Sequence, residues 1–376
     1  MRIAIDCADL DESRIDGTRV YIKNLLNHFG ELSSADQFLL YHRKDFNPLL
    51  APKSFSNYID RKIPYRFVWT QTRLAFEMMN DRADVCWMPI QQIPFLASRK
   101  IKTVVTVHDL AFKIFPESFD YPRLQKLNFF HNTAVRRADK IIAISESTKK
   151  DLLRFHPELD ERKIEVVYHG FEKELFAGKF SAERKNEVKN KYKITGKYLL
   201  YVGAIQPRKN LVRLVEAFEM FKKQQKEKPW NDLKLVFVGE QAWKAEATIE
   251  KIEKSEFVED IILTGRVDFS DLAVLYRGAE ASVCPSIYEG FGIPILESMA
   301  SGTPVIIAGN SSLVEIGKDA AEIFETESSQ DLFEKIQKVL LNESRRMELI
   351  QKGFERIEYF SWKKCAEETL EVLRNF

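Results

Sequence analysis

Short unbroken apolar runs alternate with longer stretches of helical spacing along the whole chain. Arg2 to Ile5, Thr103 to Val107, Ile141 to Ile144, Tyr198 to Val202, Leu235 to Val238 and Ala281 to Cys284 read as buried strands. Strands buried on both faces carry such runs, whereas half-exposed strands alternate polar and apolar positions. Val20, Leu25 and Leu26, and later Leu211, Leu214, Val215 and Phe218, recur at helical spacing. Strands alternating with helices in both halves predict an α/β protein with two doubly wound parallel sheets. Its 376 residues exceed one ordinary core, so two domains of roughly 150–200 residues are expected. The charged stretch from Glu183 to Lys197 precedes the strand at Tyr198. The boundary is placed before it, near residue 175, giving domains 1–175 and 176–360.

Residues 289 to 297 read Glu-Gly-Phe-Gly-Ile-Pro-Ile-Leu-Glu, directly after the apolar run Ala281 to Cys284. Pro294 presets φ for a first helical turn, Leu296 and Met299 supply an apolar face, and Gly302 offers a stop. The segment is therefore strand, loop, helix. Gly290 and Gly292 leave room where the chain bends, so N–H groups at the helix start can face an anion at the carboxyl edge of a sheet. Glu289 falls in that loop and Glu297 one turn into the helix, so both can reach one ligand. A second strand, Tyr198 to Gly203, runs into Ala204-Ile-Gln-Pro-Arg208-Lys209-Asn210 before the helix of Leu211 and Leu214. A lone cation at a helix start opposes the helix dipole, a cost of about 0.3–1 kcal/mol, and an anion bound there relieves it. A third run, Thr103 to Val107, ends in His108-Asp109.

The segment EGFGIPILE resembles the E-x7-E signature of retaining glycosyltransferases of family 4, which have the GT-B fold of two Rossmann-like domains facing a cleft. The stretches V-G-x-x-x-P-R-K-N at Val202 and His-Asp-Leu-Ala-Phe at His108 are similar to segments of the same family. The resemblance implies that Glu289 lies beside the transferred sugar and Glu297 holds the ribose of the nucleotide. Lys209, with Arg208, grips the donor diphosphate, and His108 lies at the reacting sugar. Gly290, Phe291, Gly292 and Ile293 line the donor, and Asp109 orients its loop. Gly17, in Asp16-Gly17-Thr18, stands for the usual double glycine near the diphosphate. Leu235 to Gly239, Trp243 and Leu263 to Val267 form the wall around the base, with Val267 as a donor contact. Many members carry Arg directly after the glycine of the second strand, and here that position is Ala204. Ser145 to Thr148 fits either the family's Ser-rich loop or a plain helix cap. The final helix from Ser361-Trp362 is implied to cross back to the first domain.

Composition narrows the picture. Lys and Arg number 57 against 56 Asp and Glu, a net charge of +1, so there is no electrostatic case for nucleic acid. Cys7, Cys86, Cys284 and Cys365 lie far apart without metal-ligand spacing and are expected to be reduced, packed thiols of a cytoplasmic protein. No apolar run approaches the roughly 18 residues that a membrane span requires. Between Arg61 and Phe76, cations interleave with aromatic residues, including Arg66 and Phe67. That stretch fits a helix lying on an anionic membrane surface or against an acceptor, and equally aromatics packed into the first domain with solvated cations.

The resemblance implies metal-independent, retaining transfer of a sugar from a nucleotide-diphospho-sugar, GDP-mannose in the mannosyltransferase-like branch, to a glycan or lipid-linked acceptor. No cofactor is expected. Asp81-Arg82-Ala83-Asp84 and Asp9-Leu10-Asp11 lack the placement of the Asp-x-Asp metal ligands used by the other common transferase fold. The alternatives are a non-catalytic glycan-binding or scaffold protein of the same fold, and a sugar phosphorylase or epimerase.

Overall fold

The computed structural model describes residues 1–13, 15–65, 69–227 and 229–376. The chain divides into two compact units, Met1–Gly170 with Phe360–Phe376, and Phe171–Tyr359.

The first unit is built on seven strands: β1 (Arg2–Asp6), β2 (Gln37–His42), β3 (Tyr58–Lys62), β4 (Val85–Met88), β5 (Lys102–Val107), β6 (Lys140–Ala143) and β7 (Ile164–Val166). They lie in the order β3-β2-β1-β4-β5-β6-β7, and every neighbouring pair is parallel. Successive side chains of β1 point to opposite faces, and both faces are covered. Ile3 and Ile5 join Tyr21, Leu25, Phe29 and Trp87 on one side. Ala4 joins Met78, Val105, Leu110 and Val135 on the other. Two dry faces explain why the strand reads as an unbroken apolar run.

The last helix, Trp362–Arg374, belongs to this unit. Its Trp362, Cys365, Ala366, Leu370 and Leu373 enter the same core as the helix Gly17–Leu32. Arg374 closes the contact on Asp36 at 2.8 Å, and the terminal amino group of Met1 binds the same carboxylate at 2.8 Å. Burial works against this carboxylate, but its hydrogen bonds from Met1, Ser33 and Arg374 hold it down to about 2.

The stretch from Arg61 to Phe76 does not form one basic helix. Arg61 and Lys62 end β3, helical structure includes Thr70–Asn80, and the described cations have acidic partners. Arg61 forks onto Asp81 at 2.7 and 2.9 Å, Lys62 meets Asp45 at 2.6 Å, and Arg73 meets Glu77 at 2.6 Å. Trp69 and Leu74 are buried, and Tyr65 and Phe76 are exposed. Arg66 and Phe67 lie outside the described residues.

The second unit carries β8 (Tyr198–Val202), β9 (Lys234–Val238), β10 (Ile261–Gly265), β11 (Ala281–Cys284), β12 (Val305–Ala308) and β13 (Glu322–Phe324). Their order is β10-β9-β8-β11-β12-β13, again all parallel. Most of the charged stretch before β8 folds as the helix Ala182–Lys191. Its polarity is used, since Arg184, Lys191 and Tyr192 all converge on the buried carboxylate of Asp271 in the helix Phe269–Gly278. In each sheet the order reverses at one place, between β1 and β4 and between β8 and β11. Open α/β sheets bind their ligands outside the carboxyl ends of the strands at that reversal.

All four cysteines are free, with Cys7, Cys86 and Cys365 buried. No described helix is long and apolar enough to cross a membrane.

Candidate functional site

In the second unit the reversal joins the two segments singled out in the sequence. After β8 the chain turns at Gly203, makes a single 3-10 turn at Pro207–Lys209, and enters the helix Leu211–Gln224 through Asn210, whose φ is 58°. After β11 it passes Ser286 to Gly292 and enters the helix Ile293–Ala300. Gly292 has φ 111°, a conformation that a side chain at this helix start would strain. A Cβ at Gly239, after β9, would lie 2.1 Å from the Gly203 carbonyl oxygen, so only glycine allows these two strand ends to approach.

The loops lock to each other through backbone and charge. The Ile287 N–H donates to the Arg208 carbonyl at 2.9 Å. Arg208 donates from Nη1 to the Tyr288 carbonyl and, at 3.0 Å, to Glu289 Oε2. Lys209 Nζ bonds Glu289 Oε1, which also accepts from Ser286 Oγ at 2.7 Å. A third loop, after β12, holds the backbone of the same residue. Ser311 Oγ accepts from the Glu289 N–H at 3.0 Å, and Ser312 Oγ lies 2.8 Å from the carbonyls of Glu289 and Phe291. Burial would raise the Glu289 carboxyl, yet the charges of Lys209 and Arg208 bring it down to about 2. It is therefore a fixed anion between two cations.

Glu297 has the opposite environment. It lies 8% exposed inside the helix Ile293–Ala300, and burial pushes its carboxyl up to about 7. The hydrogen bond from Tyr276 Oη at 3.0 Å opposes that shift, and the nearby Glu172 adds to it. A carboxyl poised near neutrality gains from neutral hydroxyl donors. The loop thus presents two cations for an anion and, one helical turn on, a carboxylate suited to hydroxyls.

Of the residues proposed to line the donor, Gly290 and Phe291 are buried, and Gly292 and Ile293 open the helix. Val267 is half-buried between β10 and the helix Phe269–Gly278, and the ends of β9 and β10 are joined by the Gly239 N–H donating to Gly265 O at 2.9 Å. Trp243 is 42% exposed, with Lys244 Nζ 4.3 Å from its ring centre. Tyr276, Ser286, Ser311 and Ser312 were not singled out in the sequence. Ser286 stands three residues before Glu289 in the same loop, whereas Tyr276, Ser311 and Ser312 lie in other elements, 21 to 23 residues from their partners.

His108 belongs to the first unit, where it follows β5 beside the reversal. Its Nε2 is 2.8 Å from the Pro89 carbonyl, which can only accept, so Nε2 carries the proton and Nδ1 keeps the lone pair of a neutral ring. Burial lowers its pKa, against that hydrogen bond and the charge of Asp109. Asp109 accepts from the Ala111 N–H at 3.0 Å and so starts the short helix Ala111–Ile114. Gly17 is the first, exposed residue of the helix Gly17–Leu32, and a side chain there would meet nothing within 4 Å. Asp16 caps that helix at the Arg19 N–H, 3.3 Å away. Ser145 likewise caps the helix Glu146–Phe155 at the Thr148 N–H, 3.0 Å away.

A cavity of about 450 Å³ opens in the first unit, lined among others by Asp6, Asp9, Trp69, Gln71, Pro89 and Lys126. Two of its N–H groups, Trp69 Nε1 and Gln71 Nε2, are buried with no hydrogen-bond partner among the described residues. Burial pushes the Asp6 carboxyl up to about 7, against a hydrogen bond from the Ala8 N–H. Among the described residues no group of three or more His, Cys, Asp or Glu is placed to hold a metal ion. Asp81 is bound by Arg61 and Tyr41, and Asp84 accepts from the Arg2 N–H at 2.7 Å.

Comparison with known proteins identifies the family. Residues 15–175 match the family model described as Glycosyltransferase Family 4, and residues 182–356 match that of Glycosyl transferases group 1. The chain is 25% identical over 284 residues to the O-antigen chain mannosyltransferase B of Escherichia coli, covering 74% of this chain and 72% of that one. It is 31% identical over 243 residues to the O-antigen chain mannosyltransferase RfbU of Salmonella typhimurium, covering 64% and 60%. It spans about a third, 35%, of the serotype-specific mannosyltransferase WbdA of Escherichia coli, at 27% identity over 79% of this chain. Among solved structures, WaaG, a glycosyltransferase involved in lipopolysaccharide biosynthesis, shares the fold over the full length of both chains, with TM-score 0.74 and 15% identity. Anabaena Alr3699/HepE in complex with UDP does so with TM-score 0.74 and 15% identity, over 99% of each chain. With two family matches that together span nearly all of it and a GT-B architecture of two parallel Rossmann-like sheets, the chain belongs to the glycosyltransferases of family 4.

Proposed function

We propose that this protein is a retaining, metal-independent hexosyltransferase that moves mannose from GDP-mannose to a glycan or lipid-linked glycan in polysaccharide biosynthesis, at the cytoplasmic side of a membrane. The observation that carries the reading is the pair of cations, Lys209 and Arg208, held on Glu289 at the reversal of the second sheet, with Glu297 one helical turn away. The mannosyl assignment is supported by the relatives named for O-antigen mannosyl transfer.

In this reading the nucleotide lies on the second unit, and Glu297 accepts from the ribose hydroxyls. The diphosphate takes Lys209 and Arg208 from Glu289. As the sugar–oxygen bond breaks, negative charge grows on the departing phosphate, where the two cations and the first turn after Gly292 stabilise it. Glu289, a fixed anion, faces the positive charge that develops on the sugar ring. The acceptor hydroxyl attacks from the side that the leaving group vacates and passes its proton to the departing phosphate oxygen, which retains the anomeric configuration. No step uses a metal or a cofactor. His108 presents its neutral ring to the sugar, and the cavity of the first unit takes the acceptor, with Trp69 and Gln71 supplying N–H donors and Asp6 an acceptor. Exposed Tyr65 and Phe76 give that unit apolar points of contact for a peripheral association with a membrane surface.

The test is turnover of a nucleotide-sugar panel. GDP-mannose at about 100 times its dissociation constant should add roughly 2.7 kcal/mol of stability, and its slow hydrolysis or transfer should persist in excess EDTA. Binding without turnover would instead favour a non-catalytic glycan-binding protein, and dependence on inorganic phosphate a phosphorylase. Loss of activity to chelator, restored by Mg²⁺ or Mn²⁺, would refute metal independence.

A further inference from the structure

The helix Tyr121–Arg137 and the residue that ends the helix Glu146–Phe155 bring two buried histidines together. His131 Nε2 and His156 Nε2 are 3.0 Å apart, and the two side chains are 1% and 3% exposed. On its other side His131 Nδ1 is 2.5 Å from Gln91 Oε1, and Gln91 Nε2 donates to the Asp109 carbonyl at 2.9 Å.

The protons of this chain follow from its ends. A carbonyl only accepts, so the Gln91 atom facing Asp109 is the amino group and the atom facing His131 is the amide oxygen. His131 must then donate from Nδ1. Its Nε2 is consequently a lone pair, which His156 satisfies by donating from Nε2. The remaining atom, His156 Nδ1, lies 3.6 Å from Glu158. Burial keeps both rings in the neutral form, helped by the positive charge of Lys113. This pattern satisfies Gln91 and His131, leaves His156 Nδ1 as a lone pair that the Glu158 carboxylate cannot serve, and leads to the turn that carries His108.

That turn is held from two sides by the same segment after β4. Pro89 accepts from His108, and Gln91 donates to Asp109. A displacement of Gln91 therefore moves both contacts at once.

We propose that Gln91 and His131, backed by His156, are positioning residues for His108: the chain His156–His131–Gln91–Asp109 fixes the loop from which the imidazole is presented. The inference rests on the reading that His108 meets the transferred sugar. In Asn, the amide nitrogen is as many bonds from Cα as Nδ1 is in His, so His131→Asn keeps the donor to Gln91. His131→Leu removes it and leaves the Gln91 oxygen buried without its partner.

The decisive measurements are steady-state kinetics and NMR on the full chain. His131→Leu and Gln91→Leu should lower kcat roughly 10- to 100-fold, the scale of a small misplacement of a reacting group, with donor KM and nucleoside diphosphate affinity changed less than twofold. His131→Asn should recover kcat to within about threefold of the parent. In a His108→Ala background His131→Leu should cost nothing further, because both changes act through one group. Independently of turnover, ¹⁵N shifts of the parent should show His131 protonated at Nδ1 and unprotonated at Nε2. An Nε2-protonated His131 overturns the chain, as does additive loss in the double variant or failure of the Asn variant to recover. A His108→Ala variant with normal kcat overturns the reading of His108, and the positioning role with it, while leaving the ¹⁵N pattern of the chain intact.

Discussion

If Glu297 holds the ribose as proposed, its carboxyl, pushed up to about 7 by burial, makes nucleotide binding a proton-linked event. Ribose hydroxyls donate to the ionised form, so binding draws the group into it and releases the proton that the empty site holds. With an unliganded pKa of about 7, roughly half a proton should leave per nucleotide bound at pH 7, and affinity should weaken about tenfold from pH 8 to pH 6. The ligand for this experiment is the intact nucleotide sugar, because its ester caps the terminal phosphate that would otherwise titrate near neutrality. Calorimetry in two buffers of different ionisation enthalpy counts the released proton directly. Stability carries the opposite sign. A carboxyl raised from 4.5 to about 7 destabilises the unliganded fold progressively as pH climbs through that window, by on the order of 3 kcal/mol at pH 8. Glu297→Gln should therefore melt several degrees higher than the parent at pH 8, match it near pH 4, and bind nucleotide weakly at every pH. A dissociation constant that is flat from pH 6 to 8 with no proton released, in a protein whose Glu297→Gln variant binds normally, would refute the reasoning.

Lys209→Ala should lower turnover by about 10²–10³ and weaken the donor as well, whereas Arg208→Ala should be milder because half of that guanidinium's work is on the Tyr288 carbonyl; steady-state kinetics on both variants checks this. Glu289→Ala should lower kcat more than it raises KM and leave nucleoside diphosphate affinity equal to or tighter than the parent's, measured by calorimetry, because the carboxylate that competes for the two cations is gone. Asp36, depressed from 3.8 to about 2, contributes on the order of 2 kcal/mol above pH 4 that is lost as pH falls toward 2. Asp36→Asn should thus flatten the acid limb of a urea-denaturation series between those values. Trp69→Phe should raise the acceptor KM several-fold with the donor KM unchanged, as expected for one lost hydrogen bond.

How far the sequence reveals such a site depends on whether the signal is local. The strands Tyr198–Val202 and Ala281–Cys284 were legible because both faces of each are buried, which leaves short, mostly apolar runs, the first closed by Gly203 and the second by Pro285. The start of the helix Ile293–Ala300 was legible from Pro294, and its end from Gly302, whose φ is 66°. Ala182–Lys191 reads only as a charged stretch, because the Asp271 carboxylate on which its Arg184 and Lys191 converge lies 80 and more residues away. The Tyr276 hydroxyl on Glu297 and the Ser311 and Ser312 hydroxyls on Glu289 come from positions 21 to 23 residues away, and only Ser286 lies in the loop itself. The residue pattern gives the elements their type, but partners across a sheet edge follow only from the order in which strands lie side by side.

The ion cluster of the second unit has a consequence for the life of the protein between reactions. With Glu289 paired to both cations, one of their two positive charges is already offset, so stray phosphate must compete with a fixed carboxylate for Lys209 and Arg208. On the proposed reading, a ligand that also engages the ribose and base contacts wins that exchange more readily. The same exchange would run backward after transfer, with Glu289 reclaiming Lys209 and Arg208 from the spent nucleotide. A built-in counter-ion would then act as both filter and ejector, trading some affinity for the donor against faster clearance of the product.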